Sequence, residues 1–353
     1  MPELEEFCQE VIALHRASSL SPRRRDPLRI DPPVLDDFYS PRMEEVVRRL
    51  LSEKDFDIVQ AEYTQMAQYL VPTKRSCTIL VEHEVAFLSH WRAFRTLPLS
   101  WGKVRSLLGW LLMLDWEIRA CRRSDKVMAL SETDREALLS YDPGLDIFVS
   151  PMGVNSSYFL PREGAEEPHS LIFVGHFRHT PNVHGLLRFH KEILPRIKAE
   201  VPEVHLYVVG SYAPQSVLDL GKDSGITVTG WVKDLRPYLA RSAVFVAPLW
   251  LGTGMRGKIF EAWAMAKPVV TTSVGAQGID CSPGQDIFIA DDTEEFTRSV
   301  IALLRDEELR KRLGRNGRVR AERSYDWRVI AQDLERVYQE MLAAKFGKAP
   351  SEV

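Results

Sequence analysis

The sequence predicts an α/β protein made of two doubly wound, parallel-sheet domains. Three observations carry that expectation. From residue 170 onward, apolar strands alternate with amphipathic helices, the pattern of a parallel sheet covered on both faces. Three of these strands end in glycine, at Gly175, Gly210 and Gly230, and glycines repeated at the carboxyl ends of strands clear a crevice for a flat, phosphate-bearing ligand. The third is length: 353 residues suffice for roughly two domains, each with its own core.

Composition narrows the class. With 45% hydrophobic and 27% charged residues, the chain reads as globular, not disordered or fibrous. A net charge of −3 argues against a nucleic-acid partner. The four cysteines, Cys8, Cys77, Cys121 and Cys281, form no CxxC pair, which suits neither a disulfide framework nor zinc. No apolar run approaches the roughly 18 residues a membrane span needs, and the opening MPELEEFCQE is acidic where a signal peptide would be basic and then apolar. A reducing cytoplasm is the expected compartment.

In the first half, PELEEFC reads as the end of a helix and EVIALH as a short strand, with an Arg/Pro-rich loop from Ser18 to Pro33. Ser40-Pro41 opens an amphipathic helix, MEEVVRRLLSEK, and FDIVQAEY (56–63) is a strand. Asp55-Phe56-Asp57 resembles a metal-binding DxD triplet, but it precedes its strand, whereas ligands bind beyond carboxyl ends. No metal site is read there. CTILVE (77–82) is a strand ending in His83, where a side chain faces a cleft; a surface or satisfied core histidine is the plainer reading. Residues 100–123 form a long helix with an apolar middle, LLGWLLML. We read it as buried between a sheet and its neighbour. The alternative is a helix lying on an anionic membrane, with Trp101, Trp110, Trp116, Lys103, Arg105, Arg119, Arg122 and Arg123 at the interface. KVMALS is a strand, ETDREALLSY a helix and DIFVSP a strand.

Residues 153–169 lose periodicity and gain glycine, proline and acid, which marks an interdomain linker. Beyond it come the strands LIFVG, VHLYVVG, ITVTG, AVFVAP and PVVTT with helices between them, then helices over 293–305, 306–323 and 326–345. Asp291-Asp292 reads as the cap of the first of these. The chain is organised around 249–279. Here a strand runs into Gly252-Thr253-Gly254, and the turn opens into a helix carrying Arg256, Lys258 and Glu261. The free N–H groups of a first helical turn attract anions. Arg256 and Lys258 would supply countercharge to a phosphate. Glu261 lies too deep to cap the helix, and its oxygens suit a ligand's hydroxyl pair. Together these describe a nucleotide sugar. The competing reading is a Lys258–Glu261 surface ion pair, worth roughly 0.2–0.5 kcal/mol, on a glycine loop.

LIFVGHFRHTPNVHGLLRF, VTGWVKDLRPYLARSAVFVAPL and GTGMRGKIFEAWAMAKPVVTTSVGAQGI resemble the corresponding segments of family 4 glycosyltransferases of the GT-B fold, also called glycosyl transferases group 1. So, in the first half, do FDIVQAEYTQMAQYL, ILVEHEV and KVMALSETDREAL. The likeness is to a bacterial subgroup of exopolysaccharide or other surface-glycan assembly. It implies an acceptor-side domain over 1–152, a donor domain over 170–325 and a C-terminal helix, 326–353, crossing back to the first domain. Glu261 resembles the second glutamate of the Glu-x7-Glu donor motif, which binds ribose hydroxyls; the first falls at Thr253. Backbone groups of Gly254 and Met255 would then serve the sugar. The family's Arg/Lys phosphate pair corresponds to His176 and Asn182, so the diphosphate role passes, as a hypothesis, to Arg256 and Lys258, with Arg178 as a further candidate. Gly175 and the pocket rim at Gly252 belong to the donor site, Gly230-Trp231-Val232 would face the base, and His83 the donor sugar.

The resemblance further implies retaining transfer to a glycan or lipid-linked acceptor without a cofactor or an obligatory metal, in the cytoplasm or at the inner face of the membrane. It also implies a strand, Gly-rich loop and helix, about 30 residues, ahead of Met1. Without them donor binding is expected to outlast turnover. A nucleotide-sugar epimerase and a non-catalytic sugar-nucleotide-binding scaffold are the alternatives. A dehydrogenase would need a fingerprint that is absent.

Overall fold

The computed structural model describes residues 2–14, 30–71, 73–162, 164, 166–252 and 254–347. The chain divides into two compact units: Met1–Ala129, Asp134–Val149 and Tyr338–Val353 form one, and Leu130–Thr133 with Ser150–Val337 the other. Both sheets are parallel throughout.

The first unit begins with α1 (Pro2–Glu5), a 3-10 turn over Pro33–Phe38, and α2 (Pro41–Glu53). The Ser40 side chain caps α2 by accepting from the Met43 N–H. Then come β1 (Ile58–Glu62), β2 (Cys77–Glu82), α3 (Ala86–Thr96), α4 (Trp101–Arg123), β3 (Lys126–Ala129), α5 (Glu132–Tyr141) and β4 (Ile147–Val149), with sheet order β1-β2-β3-β4. One face of the sheet packs Leu80, Val127, Ala129 and Ile147 against Phe87, Met113, Trp116 and Leu138.

Two expectations for this unit need correction, and a third falls largely outside the described residues. EVIALH forms no strand over its described residues, 10–14; Ile12 is exposed, and an apolar tetrad without a paired edge has nothing to gain by extending. Most of the Ser18–Pro33 loop, residues 18–29, lies outside the described residues. The long helix is buried only over its second half, at Met113, Trp116, Ile118, Ala120 and Cys121, while Trp101, Val104, Leu108 and Leu111 are exposed. One further helix, α3, is not announced by its sequence. Its N-cap, Val85, offers no side-chain bond; Glu117 of α4 instead accepts from the N–H groups of Ala86 and Phe87 at 2.7 and 2.8 Å. A cap supplied from 30 residues away leaves no local signature.

The second unit runs β5 (Ser170–Val174), α6 (Thr180–Arg188), a π turn into α7 (Leu194–Glu200), β6 (His205–Val209), α8 (Gln215–Leu218), β7 (Ile226–Gly230), α9 (Arg236–Arg241), β8 (Val244–Ala247), α10 (Gly257–Ala264), β9 (Val269–Thr271), β10 (Phe288–Ile289), α11 (Thr293–Arg305), α12 (Glu307–Ser324) and α13 (Trp327–Phe346). Its sheet order is β10-β9-β8-β5-β6-β7. Alternation along the strands splits the core into two layers. Leu171, Phe173, Leu206, Val208, Val244 and Val246 face the layer of α6, α7 and α11; Ile172, Tyr207, Val209, Phe245 and Ala247 face that of α9 and α10. Asp292 caps α11 as expected, accepting from the Glu294 and Glu295 N–H groups at 2.8 and 2.9 Å. Among the described residues no helix is long and apolar enough to cross a membrane.

Close backbone approach sets where α6 meets the sheet. A Cβ on Gly185 would lie 2.1 Å from the carbonyl oxygen of Pro248, just past β8. Alanine in a helix ordinarily gains about 1 kcal/mol over glycine, but here the clash is with backbone and outweighs that gain. We expect Gly185→Ala to lose about 1–3 kcal/mol, seen as a lower urea midpoint at unchanged m-value.

Candidate functional site

The candidate site lies where β8 turns into α10. The helix is locked from behind: Ile259, Phe260, Ala262, Trp263 and Ala264 are buried. Phe260 stacks on Tyr325 at 4.1 Å, and the Trp263 indole donates to the Asp286 carbonyl at 3.0 Å. The α12 backbone runs so close that a Cβ on Gly317 would sit 2.3 Å from Trp263. At the far end, the Arg318 guanidinium donates to the Ala264 carbonyl and to Phe159 O at 2.7 Å. These contacts leave Lys258 and Glu261, one turn apart, on the remaining face.

The turn itself needs left-handed backbone at Gly252 (φ 105°) and Gly254 (φ 77°), which glycine adopts freely. A Cβ on Gly252 would come within 2.8 Å of Arg256 Nη2, so the guanidinium lies folded against the turn. Beside Gly254 the space is open. Met255 packs on the α10 side of the core. Thr253 lies outside the described residues.

Lys258 does not form the surface ion pair that its spacing to Glu261 suggests. Its ammonium reaches across to β5 and α6, donating to Val174 O at 2.8 Å and to Asn182 Oδ1 at 2.7 Å. Asn182 in turn donates to the His176 carbonyl at 2.9 Å. Burial pulls Lys258 down to about 7, with help from the Arg256 charge and against Glu261. Burial likewise pushes Glu261 up to about 7, opposed by Lys258. Among the described residues Glu261 has no hydrogen-bond or ion-pair partner. A half-buried carboxyl of that kind is an acceptor awaiting a donor.

The carboxyl ends of β5, β6 and β7 border the same site. Gly210 (φ 154°) permits the tightest approach, since its Cβ would lie 1.7 Å from Gly175 O. His176 and Arg178 are exposed. The His176 ring lies 5.0 Å from that of Tyr212 and 5.1 Å from that of His179, and Arg178 covers Tyr212 at 3.8 Å. Beyond Gly230 (φ 70°) the space is open; Trp231 stands out in solvent, 73% exposed, while Val232 packs inward. The sequence does not single out Tyr212 or His179, although Tyr212 follows Gly210 at a strand's carboxyl end, the one signal that marks it.

His83 sits at the carboxyl end of β2 in the first unit. Its Nε2 is 2.7 Å from Glu62 Oε2, and its ring stacks on Tyr63 at 4.0 Å. Tyr63 holds φ 74°, a costly conformation for a side-chain-bearing residue. Beneath them lies a buried acid pair. Thr64 donates to Glu82 and, at 3.2 Å, to Glu117. Burial, then the charge of Glu117, raises Glu82 well above the carboxylate range; Glu82 therefore keeps its proton while Glu117 accepts from the α3 backbone. Neither Glu62 nor Tyr63 was singled out in the sequence. Asp55 and Asp57 precede β1, and among the described residues no group of three His, Cys, Asp or Glu side chains is placed to hold a metal.

Residues 168–306 match the family model described as glycosyl transferases group 1. Among curated proteins, the capsular polysaccharide biosynthesis glycosyltransferase CapM of Staphylococcus aureus is 25% identical over 63% of this chain and 63% of its own length. The chain thus spans less than two thirds of that relative. Among solved structures, sucrose-phosphate synthase from Thermosynechococcus elongatus superposes with a TM-score of 0.69 at 19% identity, over 91% of this chain and 82% of that one. Anabaena Alr3699/HepE in complex with UDP superposes at 0.66 and 15% identity, over 87% and 84%.

The two perturbed groups on α10 give the site a pH signature. Between about 4.5 and 7, Glu261 binds more protons folded than unfolded, so stability falls as pH rises. Between about 7 and 10.5, Lys258 binds fewer protons folded than unfolded, so stability climbs again. Together they produce a dip near neutrality, on the order of 1–3 kcal/mol. Glu261→Gln should remove the acid-side fall and Lys258→Met the alkaline-side rise, measured as urea midpoints at about pH 5, 7 and 9.

Proposed function

We propose, for a chain whose residues 168–306 match the family model of the group 1 glycosyltransferases and whose fold is GT-B, that it is a retaining glycosyltransferase of surface-glycan synthesis. It takes a sugar from a nucleoside-diphosphate donor and passes it to a hydroxyl of a glycan or lipid-linked acceptor. The observation that carries this reading is the α10 pair: a buried ammonium held by Val174 O and Asn182, and one turn on a carboxyl with no partner among the described residues.

The donor's diphosphate lies at the glycine turn, against Arg256 and the third N–H of Lys258. Arriving phosphate oxygens replace lost solvation and draw Lys258 back to its charged form. Glu261 takes the ribose hydroxyls. Backbone groups near Gly230 and the indole of Trp231 serve the base, Gly254 and Met255 N–H groups serve the sugar, and Gly175, His176 and Arg178 line the phosphate side. In the reaction, the bond from the anomeric carbon to the diphosphate oxygen breaks and one to the acceptor oxygen forms on the same face. The acceptor's proton passes to the departing phosphate oxygen. Fixed cations aimed at that developing charge do the work a metal would otherwise do, so no cofactor is required. The UDP in the HepE complex and the capsular role in the CapM name support this reading. Nothing favours an epimerase or a non-catalytic scaffold over it.

A thermal-shift panel of UDP-, GDP-, ADP- and dTDP-sugars tests the proposal, because a ligand bound only by the native state raises its melting point. At least one should do so, and Glu261→Ala should abolish the shift. Arg256→Ala should retain part of the shift while losing turnover about 10²–10³-fold. No response to any donor overturns the reading.

A further inference from the structure

The apolar first half of α4 is not covered by any of the described residues. Trp101, Val104, Leu108 and Leu111 are exposed, and their spacing of three, four and three places them on one helical stripe. The turn before the helix continues the stripe with Leu99, 95% exposed, and Trp101 itself is 88% exposed. Between this turn and the end of α3 runs an apolar groove lined by Phe94, Leu99, Trp101, Val104, Leu107 and the stem of Lys103. The hairpin is rigid beneath this surface, since Trp91 of α3 packs on Trp110 of α4 with ring centroids 4.7 Å apart.

The charge around the stripe is of one sign. From Val85 to Leu114 the sequence contains no aspartate or glutamate, yet it carries Arg92, Arg95, Lys103 and Arg105 in a chain whose net charge is −3. Arg92, Arg95 and Arg105 are exposed, and Lys103 folds back to donate to the Leu97 carbonyl at 2.9 Å.

We propose that the α3–α4 hairpin is a membrane-docking surface that inserts Leu99, Trp101 and the α4 stripe into the headgroup layer of an anionic bilayer, its arginines pairing with lipid phosphates. An interfacial helix with tryptophan and leucine on one face and lysine or arginine beside it binds in this way. Tryptophan suits the water–lipid boundary because its ring is apolar and its N–H polar. A second copy of the chain is the poorer occupant, because symmetric pairing would bring eight cations together with no acid in the patch to offset them. The proposal does not depend on the donor site.

The test is flotation of the full chain with vesicles of phosphatidylcholine, with and without phosphatidylglycerol. The chain should float only with the anionic vesicles and should release as salt rises. Leu99→Ser with Trp101→Ser should weaken binding roughly tenfold or more, and Arg92→Ser with Arg95→Ser and Arg105→Ser should abolish the lipid preference. All five side chains are exposed, so melting curves and sugar-nucleotide shifts should match those of the parent. Equal binding to both vesicle types, unaltered binding by the variants, or a dimer that the serine variants dissociate in the absence of lipid would each overturn it.

Discussion

Burying a lysine ammonium is expensive unless its protons find acceptors, and the architecture around α10 follows from where those of Lys258 go. One goes to the last carbonyl of β5 and one to Asn182 on α6; the remaining donor has no further acceptor among the described residues. For the ammonium to reach β5, α10 must start close behind β8, which demands the left-handed glycines of the turn. For Asn182 to reach both the ammonium and His176 O, α6 must lie hard against the end of β8, which demands Gly185. The aromatic packing of Phe260, Trp263 and Tyr325 keeps α10 from relaxing away. The desolvation of the Lys258 ammonium is what an anion would offset.

The first unit solves a related problem with opposite charge. Two carboxyls, Glu82 and Glu117, are fully buried beside one another. They coexist because one keeps a proton and the other faces two backbone N–H groups at the start of α3. The same contact positions the segment carrying His83 and anchors the root of the α3–α4 hairpin. A buried polar network of this sort is costly if half-satisfied and rigidifying if complete.

Much of the architecture was legible from residue pattern. Each apolar run between residues 170 and 272 became a strand of one sheet, because strands of a sheet covered on both faces are mostly apolar and therefore stand out. Caps written in local sequence, Ser40 and Asp292, were readable for the same reason. What was not legible was everything decided at long range. Local spacing pairs Lys258 with Glu261, but the ammonium instead turns to acceptors 84 and 76 residues away. Helix α3 owes its start to a carboxylate on another helix. The apolar middle of α4 reads the same whether covered or bare, and only the packing shows that one half is covered and the other is not. EVIALH has strand composition but no neighbouring edge among the described residues, and composition alone cannot supply one.

Helix α13 begins among the residues of the second unit and ends among those of the first. Within the first unit its last turns cover the sheet face opposite α4: the Cys77 thiol donates to the Met341 carbonyl, 264 residues along the chain, and Lys345 reaches Asp125 at 2.8 Å. At a synthesis rate of about 5–20 residues per second, that interval lasts roughly ten seconds to a minute. During translation, therefore, the strands made early wait with one side bare until the last helix emerges, and the first-made half of the polypeptide is among the last parts to be finished.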